Sequence, residues 1–177
     1  SVRMPAPEPM GPASAGRIPG ADGPSPAFVV DHMLIRVGRW LRLCGYDTTW
    51  DPTLDTRALI RRANAECRVF VTCNSHIPHN FPAPLAWVRI RSASPIEQFH
   101  EIVARLGLDP ARHAFSRCVN CNRPLEAISP SDEVTASLPP RIRERQPSLW
   151  RCPECRRLYW HGSHVERTRR MLALPLL

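Results

Sequence analysis

Hydrophobic and polar positions follow two different periods between residues 28 and 108, and these periods predict strands and helices in alternation. The apolar run at residues 28–30 predicts a short strand that ends at Asp31. Apolar side chains then recur at steps of three and four from Met33 to Cys44, with Cys44 on the apolar face. This spacing predicts an amphipathic helix that Gly45 ends.

The alternation continues through the next 60 or so residues. Residues 46–50, 68–72 and 86–90 predict three further strands, and residues 54–65 and 94–107 predict two further helices. Strands that alternate with helices are typical of a parallel sheet with helices on both faces. We therefore predict an α/β domain over residues 28–112, with an irregular loop at residues 74–84.

Both ends of the chain depart from this pattern. Residues 1–27 are rich in Pro, Gly, Ala and Ser, which predicts a disordered leader. After residue 108 the pattern gives way to paired cysteines, proline and arginine. This part cannot form a hydrophobic core of the usual size, so it needs another source of stability. We assign residues 113–177 to a small second subdomain, with a short helix over residues 163–172 that Ser163 caps.

Four cysteines of this subdomain form two CxxC pairs with 30 residues between them. They are Cys118, Cys121, Cys152 and Cys155. Two such pairs complete a tetrahedral zinc site and leave no open position, so we predict a structural zinc ion that does not activate water. Two alternatives stay open: a redox dithiol, although neither pair follows a predicted strand, or replacement of one cysteine by His161 or His164.

Charge and cysteine usage narrow the functional classes. The formal net charge is +8 and all 24 basic residues are arginine, which favours anionic partners, although a GC-rich genome explains the absence of lysine more simply. Cysteines in CxxC pairs fit a reducing cytoplasm better than a disulfide framework. No apolar run approaches the roughly 20 residues of a membrane span, and no secretory signal is recognisable. We expect a cytoplasmic protein without a membrane partner.

Three oxygen-bearing side chains are predicted at one edge of the sheet. Asp31 ends the first strand, Asp55 begins the second helix, and Asn74 lies just beyond the third strand. Active sites of open parallel sheets gather at the carboxyl ends of the strands. Carboxylates there can hold magnesium or manganese beside a scissile phosphate. Each also has a simpler interpretation, because Asp31 could cap the first helix and Asp55 could complement the dipole of the second.

Arginines recur every three residues along the first predicted helix, at Arg36, Arg39 and Arg42. Such a stripe could contact RNA phosphates, although a solvated helix face is the commoner explanation. A second group of arginines surrounds and follows the second cysteine pair. Its members are Arg151, Arg156, Arg157, Arg167, Arg169 and Arg170. These residues could supply a salt-sensitive RNA footprint.

Several short segments occur together in one order along the chain. They are residues 31–34 (DHML), 39–42 (RWLR), 45–48 (GYDT) and 97–98 (EQ), then the two CxxC pairs, then residues 159–164 (YWHGSH). In this combination the chain resembles the Mut-seven C-terminal RNase domain family. The resemblance implies a three-layer PIN-like nuclease fold followed by a zinc ribbon, with RNA as substrate. It also implies that Asp31 and Asp55 bind the catalytic metal.

The chain departs from the family pattern at three places. Asn74 stands where the family has an aspartate, residues 92–94 (SAS) stand where it often has another acid, and Ile35 replaces a glycine. Each lost carboxylate weakens divalent binding, because affinity depends on ligand charge. We therefore expect a metal-dependent ribonuclease weakened by the loss of acidic residues, with no small-molecule cofactor. The alternative is a catalytically inactive RNA-binding module on the same scaffold.

Overall fold

The computed structural model of the chain describes residues 25–77, 79–129, 131–145 and 148–174. The leader predicted over residues 1–27 lies outside the described residues, apart from residues 25–27. None of the described helices is long and apolar enough to cross a membrane.

A parallel sheet of four strands organises the first part of the chain. The strands are β1 (Phe28–Val30), β2 (Thr48–Thr49), β3 (Val69–Thr72) and β4 (Trp87–Arg89), in the order β2-β1-β3-β4. The helices are α1 (Ile35–Leu43), α2 (Thr56–Ala65) and α3 (Pro95–Leu106), and a 3-10 turn (His32–Leu34) precedes α1. This arrangement confirms the predicted α/β class.

Alternate residues of β1 face different helices. Phe28 and Val30 belong to the core that α1 and α3 cover, whereas Val29 belongs to the core that α2 covers with Leu59. The side chains of a strand point to opposite faces with a period of two, so a strand with three apolar residues in a row is buried on both faces. The result is three layers, with helices on both sides of one sheet.

A smaller antiparallel sheet follows the first CxxC pair, and the second CxxC pair lies between two of its strands. Its strands are β5 (Glu126–Ile128), β6 (Leu149–Arg151) and β7 (Leu158–Trp160), in that order. The remaining helices are α4 (Asp132–Ser137), α5 (Pro140–Arg143) and α6 (Ser163–Met171). Leu172 and Leu174, which follow α6, are buried in the core of the first sheet. The second subdomain therefore packs against the first, while the boundary at residue 112 stays a prediction.

Two local predictions are wrong. The cap of α6 is Gly162 rather than Ser163, and no side-chain hydrogen bond caps this helix. Met33 is 73% exposed instead of lying on the apolar face of α1, because residues 32–34 form a 3-10 turn whose period differs from that of the helix. Cys44 is buried, as the helical period predicts.

Candidate functional site

Asp31 joins the carboxyl ends of two neighbouring strands. Its side chain is only 5% exposed. Oδ1 accepts a hydrogen bond of 3.0 Å from the backbone N–H of Met33, and Oδ2 accepts bonds from the Thr72 hydroxyl at 2.5 Å and the Cys73 N–H at 3.1 Å. Asp31 therefore caps the 3-10 turn after β1 and also fixes the end of β3. A buried carboxylate with three donors has a set orientation.

Asn74 continues this hydrogen-bonded chain. Its backbone N–H donates to the Thr72 hydroxyl at 2.9 Å, so that Asp31, Thr72 and Asn74 are linked in sequence. Its own Oδ1 accepts from the backbone N–H of His76 at 2.9 Å, and the side chain is half-buried. The structure thus connects the backbone of Asn74 to Asp31 through Thr72, while the Asn74 side chain bonds within its own turn.

Asp55 is the cap of α2. Its Oδ1 accepts a hydrogen bond of 2.7 Å from the backbone N–H of Ala58, and the residue is exposed. Asp55 follows β2, the edge strand next to β1, so it lies after the carboxyl end of a neighbouring strand. No hydrogen bond among the described residues joins it to Asp31 or Asn74. Asp31 therefore caps a helical turn, as its simpler sequence interpretation predicts, and Asp55 caps α2, the helix whose dipole it was expected to complement.

A carboxylate that the sequence analysis missed lies near the end of β4. Glu101 of α3 accepts hydrogen bonds from the backbone N–H groups of Arg91 and Ser92 and from the Ser92 hydroxyl, at 2.8 to 3.2 Å. Burial acts to raise the pKa of Glu101, but the bonds from Ser92 and Arg91 lower it overall. Residues 92–94 themselves contain no acid, and the carboxylate that reaches this loop comes from the following helix.

Cys73 lies between two of these carboxylates. Burial raises the pKa of its thiol to about 11, and the negative charges of Asp31 and Glu101 add to the shift. The Gln98 amide, which belongs to the EQ segment, donates to the Ser92 carbonyl at 3.1 Å and lies 3.9 Å from the Cys73 sulfur. This edge of the sheet therefore carries two carboxylates, Asp31 after β1 and Glu101 of α3, and we call it the acidic edge.

The arginines of α1 do not share one environment. Arg36 and Arg39 are exposed, but Arg42 is only 6% exposed. Burial lowers the pKa of Arg42 to about 10, although the negative charges of Cys118 and Asp47 oppose this effect.

The Arg42 guanidinium is held by the protein itself. It donates to the carbonyl oxygens of Thr48, Val119 and Asn120 at 2.7 to 2.9 Å, and it lies 3.6 Å from the ring centroid of Trp50. Since Val119 and Asn120 form the turn of the first CxxC pair, Arg42 attaches that turn to the α/β domain.

The four paired cysteines converge on one point. Their sulfur atoms all lie within 4.8 Å of one another, and those of Cys118 and Cys155 are 3.7 Å apart. A tetrahedral zinc ion with Zn–S bonds of about 2.3 Å requires sulfurs roughly 3.8 Å apart. Among the described residues this is the only group of three or more Cys, His, Asp or Glu that could hold a metal ion.

The two cysteine turns repeat the same backbone geometry. The N–H of Cys118 donates to the Arg123 carbonyl and that of Cys152 to the Arg157 carbonyl, at 2.8 and 3.0 Å. The residue after each second cysteine, Asn122 or Arg156, has a φ angle of +62°. This repetition is typical of paired zinc knuckles, in which the turn directs backbone N–H groups towards the sulfurs.

The surroundings of Cys118 favour its thiolate form. Burial acts to raise its pKa, but hydrogen bonds from the backbone N–H groups of Cys121 and Asn120 and from the Tyr159 hydroxyl lower it to about 7. The Tyr159 oxygen lies 3.1 Å from the sulfur. His161 does not belong to the four-cysteine cluster and instead stacks on Trp150, with ring centroids 5.0 Å apart. The side chain of His164 lies outside the described part of the structure.

The first knuckle is seated on the GYDT segment that follows α1. Arg117 donates to the Gly45 carbonyl at 3.2 Å, and Asn122 bonds to both Asp47 and Thr48. Gly45 has a φ of +89°, and a Cβ atom built on it would lie 2.3 Å from the carbonyl oxygen of His113. A glycine is required here both for the turn and for the close approach of the chain.

Comparison with known families matches the Mut7-C RNAse domain over residues 26–172. The match includes both sheets, and the chain therefore belongs to the Mut7-C RNAse domain family, as the sequence resemblance indicates. Comparisons with curated proteins and with solved structures give no match.

Proposed function

We propose that this protein is a metal-dependent ribonuclease of the PIN-like type, working with a reduced set of carboxylates. The observation that carries the proposal is Asp31, an almost fully buried carboxylate at the carboxyl end of a parallel strand, linked through Thr72 to Asn74. Sites in open parallel sheets form at this edge. Membership of an RNAse domain family supports RNA as the substrate.

The proposed metal ligands are Asp31, Asp55 and Asn74. All three offer oxygen atoms, the ligand type that magnesium and manganese prefer. Divalent ions at such a site activate water and neutralise charge on the scissile phosphate. The chain's own contribution is orientation, because Asp31 is held by three hydrogen bonds and Asn74 by the N–H of His76. Asn74 brings no charge, so the site should need a higher ion concentration than a fully acidic one.

The arginines of α1 support RNA binding next to this edge. Arg36 and Arg39 are exposed on the helix that begins just after Asp31, and arginine forks suit phosphate oxygens. Arg42, proposed from its spacing to join them, has its guanidinium occupied by three carbonyl oxygens. We therefore assign phosphate contact to Arg36 and Arg39 and a positioning role to Arg42.

For the four-cysteine cluster we propose a structural zinc ion. Four thiolates fill a tetrahedral site completely and leave no position for water or substrate, so this metal supports folding and not catalysis. Four cysteines that converge as two CxxC pairs fit a metal-binding site better than a disulfide framework, which supports the proposal of a reducing compartment such as the cytoplasm.

A second candidate is an RNA-binding module without catalytic activity. One observation favours it. Both oxygens of Asp31 already accept hydrogen bonds from the fold, and among the described residues Asp31 belongs to no group of three Asp, Glu, His or Cys side chains that could hold a metal ion. On this alternative the acidic edge stabilises the turn, and the exposed arginines still bind RNA.

The two candidates differ in a cleavage assay. Zinc-loaded protein is incubated with a labelled structured RNA, with and without added manganese, beside the variants Asp31→Asn and Asn74→Asp. The matched control is Asp109→Asn, which removes an exposed carboxylate outside the acidic edge. A ribonuclease should cleave only with manganese, lose activity in Asp31→Asn, gain in Asn74→Asp and keep it in Asp109→Asn.

RNA retention by the parent without cleavage, combined with cleavage by Asn74→Asp, would instead identify the inactive module. Absence of both cleavage and RNA retention in every variant would contradict both candidates.

A further inference from the structure

A cavity of about 280 Å³ lies where the second subdomain meets the end of α1, next to the first CxxC pair. Its lining residues come from Leu43 of α1, from residues 115–120, and from β6, β7, His161 and α6. Its volume is slightly below the roughly 300–1,000 Å³ of pockets that bury whole drug-sized ligands. It is therefore the size of a site for a small planar group.

Aromatic side chains make up a large part of the wall. They are Phe115, Trp150, Tyr159, Trp160 and His161. His161 lies nearly parallel to Trp150, at an interplanar angle of 24°, and Phe115 meets the edge of His161 with centroids 6.0 Å apart. Such planes are the platforms on which unpaired bases stack, and stacking tolerates any base because every base has a π-face.

The charge of the cavity favours an anion. Arg117 and Arg157 line it, and its described lining residues include no carboxylate. Neither arginine takes part in an ion pair among the described residues. In the amide orientation that satisfies its hydrogen bonds, Asn120 accepts from both terminal nitrogens of Arg157 at 3.2 and 3.3 Å. An amide and a guanidinium at the rim can meet a base edge and its phosphate.

We propose that this cavity binds an unpaired nucleobase of the RNA substrate, stacked on its aromatic wall, with the adjacent phosphate held by Arg157. The inference rests on the proposed function, since it names the substrate class of the same protein: RNA with a single-stranded segment. The aromatic cluster distinguishes this site from a purely electrostatic footprint, which would need no stacking surface.

The test compares two RNA hexamers of equal charge. One is a fluorescently labelled hexauridylate, and the other is the same ribose-phosphate backbone with every base removed. Binding is measured by fluorescence anisotropy with the zinc-loaded parent protein and no added manganese or magnesium, so that neither strand is cleaved. The ratio of the two dissociation constants isolates the contribution of the bases from that of the phosphates.

The parent should bind hexauridylate about tenfold more tightly than the abasic strand, the order of magnitude that one stacking platform provides. His161→Ala and Arg157→Gln, both at exposed positions, should weaken hexauridylate binding, and His161→Ala should reduce the ratio to less than about twofold. Arg156→Gln is the matched control, because Arg156 is the exposed neighbour of Arg157 but does not line the cavity. It should leave the ratio unchanged. Zinc content and circular dichroism establish that each variant is folded.

The failures are distinguishable. Equal binding of both strands by the parent, or an unchanged ratio in His161→Ala, would overturn the nucleobase site while leaving phosphate binding and the proposed function in place. Failure of the parent to bind either strand would overturn the proposed function together with this inference. If His161→Ala does not fold, Trp150→Phe gives a second test through quenching of tryptophan fluorescence by uridine monophosphate, which should decrease when Trp150 is absent and should not occur with ribose 5-phosphate.

Discussion

The side-chain nitrogen of Asn122 lies 2.5 Å from Oδ1 of Asp47, and this hydrogen bond joins residues 75 positions apart. The same amide accepts a hydrogen bond from the backbone N–H of Thr48 at 3.1 Å. The Asp47 carboxylate also accepts hydrogen bonds from two nitrogens of Arg68, at 2.8 and 3.1 Å. Asp47 thus connects the beginning of β3 with the first cysteine turn. The stabilities of the α/β domain and of the second subdomain, which we also call the ribbon, should therefore be coupled.

The Asp47 contacts predict a pH dependence of stability. Burial acts to raise the pKa of Asp47, but bonds from Arg68 and Asn122 lower it below its ordinary value of 3.8. A carboxyl whose pKa is lowered by folding stabilises the protein above its unfolded pKa and loses that contribution as the pH falls through the folded value. The free energy of unfolding should decrease more steeply below about pH 4 in the parent than in Asp47→Asn.

Urea unfolding of the two proteins over this pH range measures the difference. The effect should be modest, because the Asp47 side chain is 36% exposed. Loss of zinc in acid affects both proteins, so the comparison between them isolates the carboxyl. Parallel stability curves would show that Asp47 contributes no pH-dependent stability.

Arg42 should contribute to stability far more than its neighbours on α1. Arg42→Ala leaves the buried carbonyl of Thr48 and the part-buried carbonyls of Val119 and Asn120 without this donor, and it removes the guanidinium that lies over the Trp50 ring. We expect the free energy of unfolding to fall by about 2–4 kcal/mol, since each buried unsatisfied group costs about 1–3 kcal/mol and relaxation recovers part. Urea denaturation measures this change.

Arg39→Ala is the matched control for Arg42→Ala. Arg39 is exposed on the same helix, and an exposed substitution of this kind changes stability by about 0.5 kcal/mol at most. RNA affinity should show the opposite order, because Arg39→Ala removes a contact to an RNA phosphate whereas Arg42→Ala does not. Equal destabilisation by the two variants would contradict the positioning role of Arg42.

Gly45 and Gly107 both have positive φ angles but differ in their surroundings. A Cβ on Gly45 would lie 2.3 Å from a backbone oxygen, whereas a Cβ on Gly107 meets nothing within 4 Å. Gly107→Ala should lower the free energy of unfolding by only about 1–2 kcal/mol, the cost of placing a residue with a Cβ atom in the left-handed backbone conformation. Gly45→Ala should cost several kcal/mol, because the backbone of residue 113 must also move. A thermal or urea unfolding comparison of the two tests the steric contribution, and equal costs would contradict it.

Metal binding should depend on the paired cysteines alone. Cys121→Ser should reduce the zinc-to-protein ratio of the purified protein from one towards zero and unfold the ribbon, because metal binding and folding are coupled at structural sites. Cys67→Ser is the control, since Cys67 is an exposed thiol outside the cluster and its loss should leave the ratio unchanged. Metal analysis and proteolysis of the ribbon measure the two effects. A ratio well below one in the parent would contradict the assignment of zinc.

The four-cysteine cluster illustrates what the local sequence can specify. Each CxxC turn brings its two sulfurs together by its own backbone hydrogen bonds, so two pairs predict one four-cysteine site wherever the rest of the chain lies. The three-residue apolar run of β1 similarly predicts a strand buried on both faces. The three strands of the ribbon were not predicted, because short strands between cysteines and prolines carry little hydrophobic period.

The acidic edge was predicted in part. Asp31 and Asn74 follow strands, and strand order brings them together through Thr72. Glu101 could not be found in this way, because it reaches the same edge from the middle of a helix. Its position depends on how α3 packs beside β4, which the helical period alone does not determine.

Sequence by itself determined the class of fold, the four-cysteine cluster and the family, because these follow from short-range periodicity and from motifs whose residues are close along the chain. Tertiary structure alone decided the different environments of Arg36, Arg39 and Arg42. These arginines are equally spaced, yet only Arg42 meets the carbonyls of residues 119 and 120. A buried guanidinium needs acceptors to offset its desolvation, and here they come from a turn some 77 residues away, which no local pattern specifies.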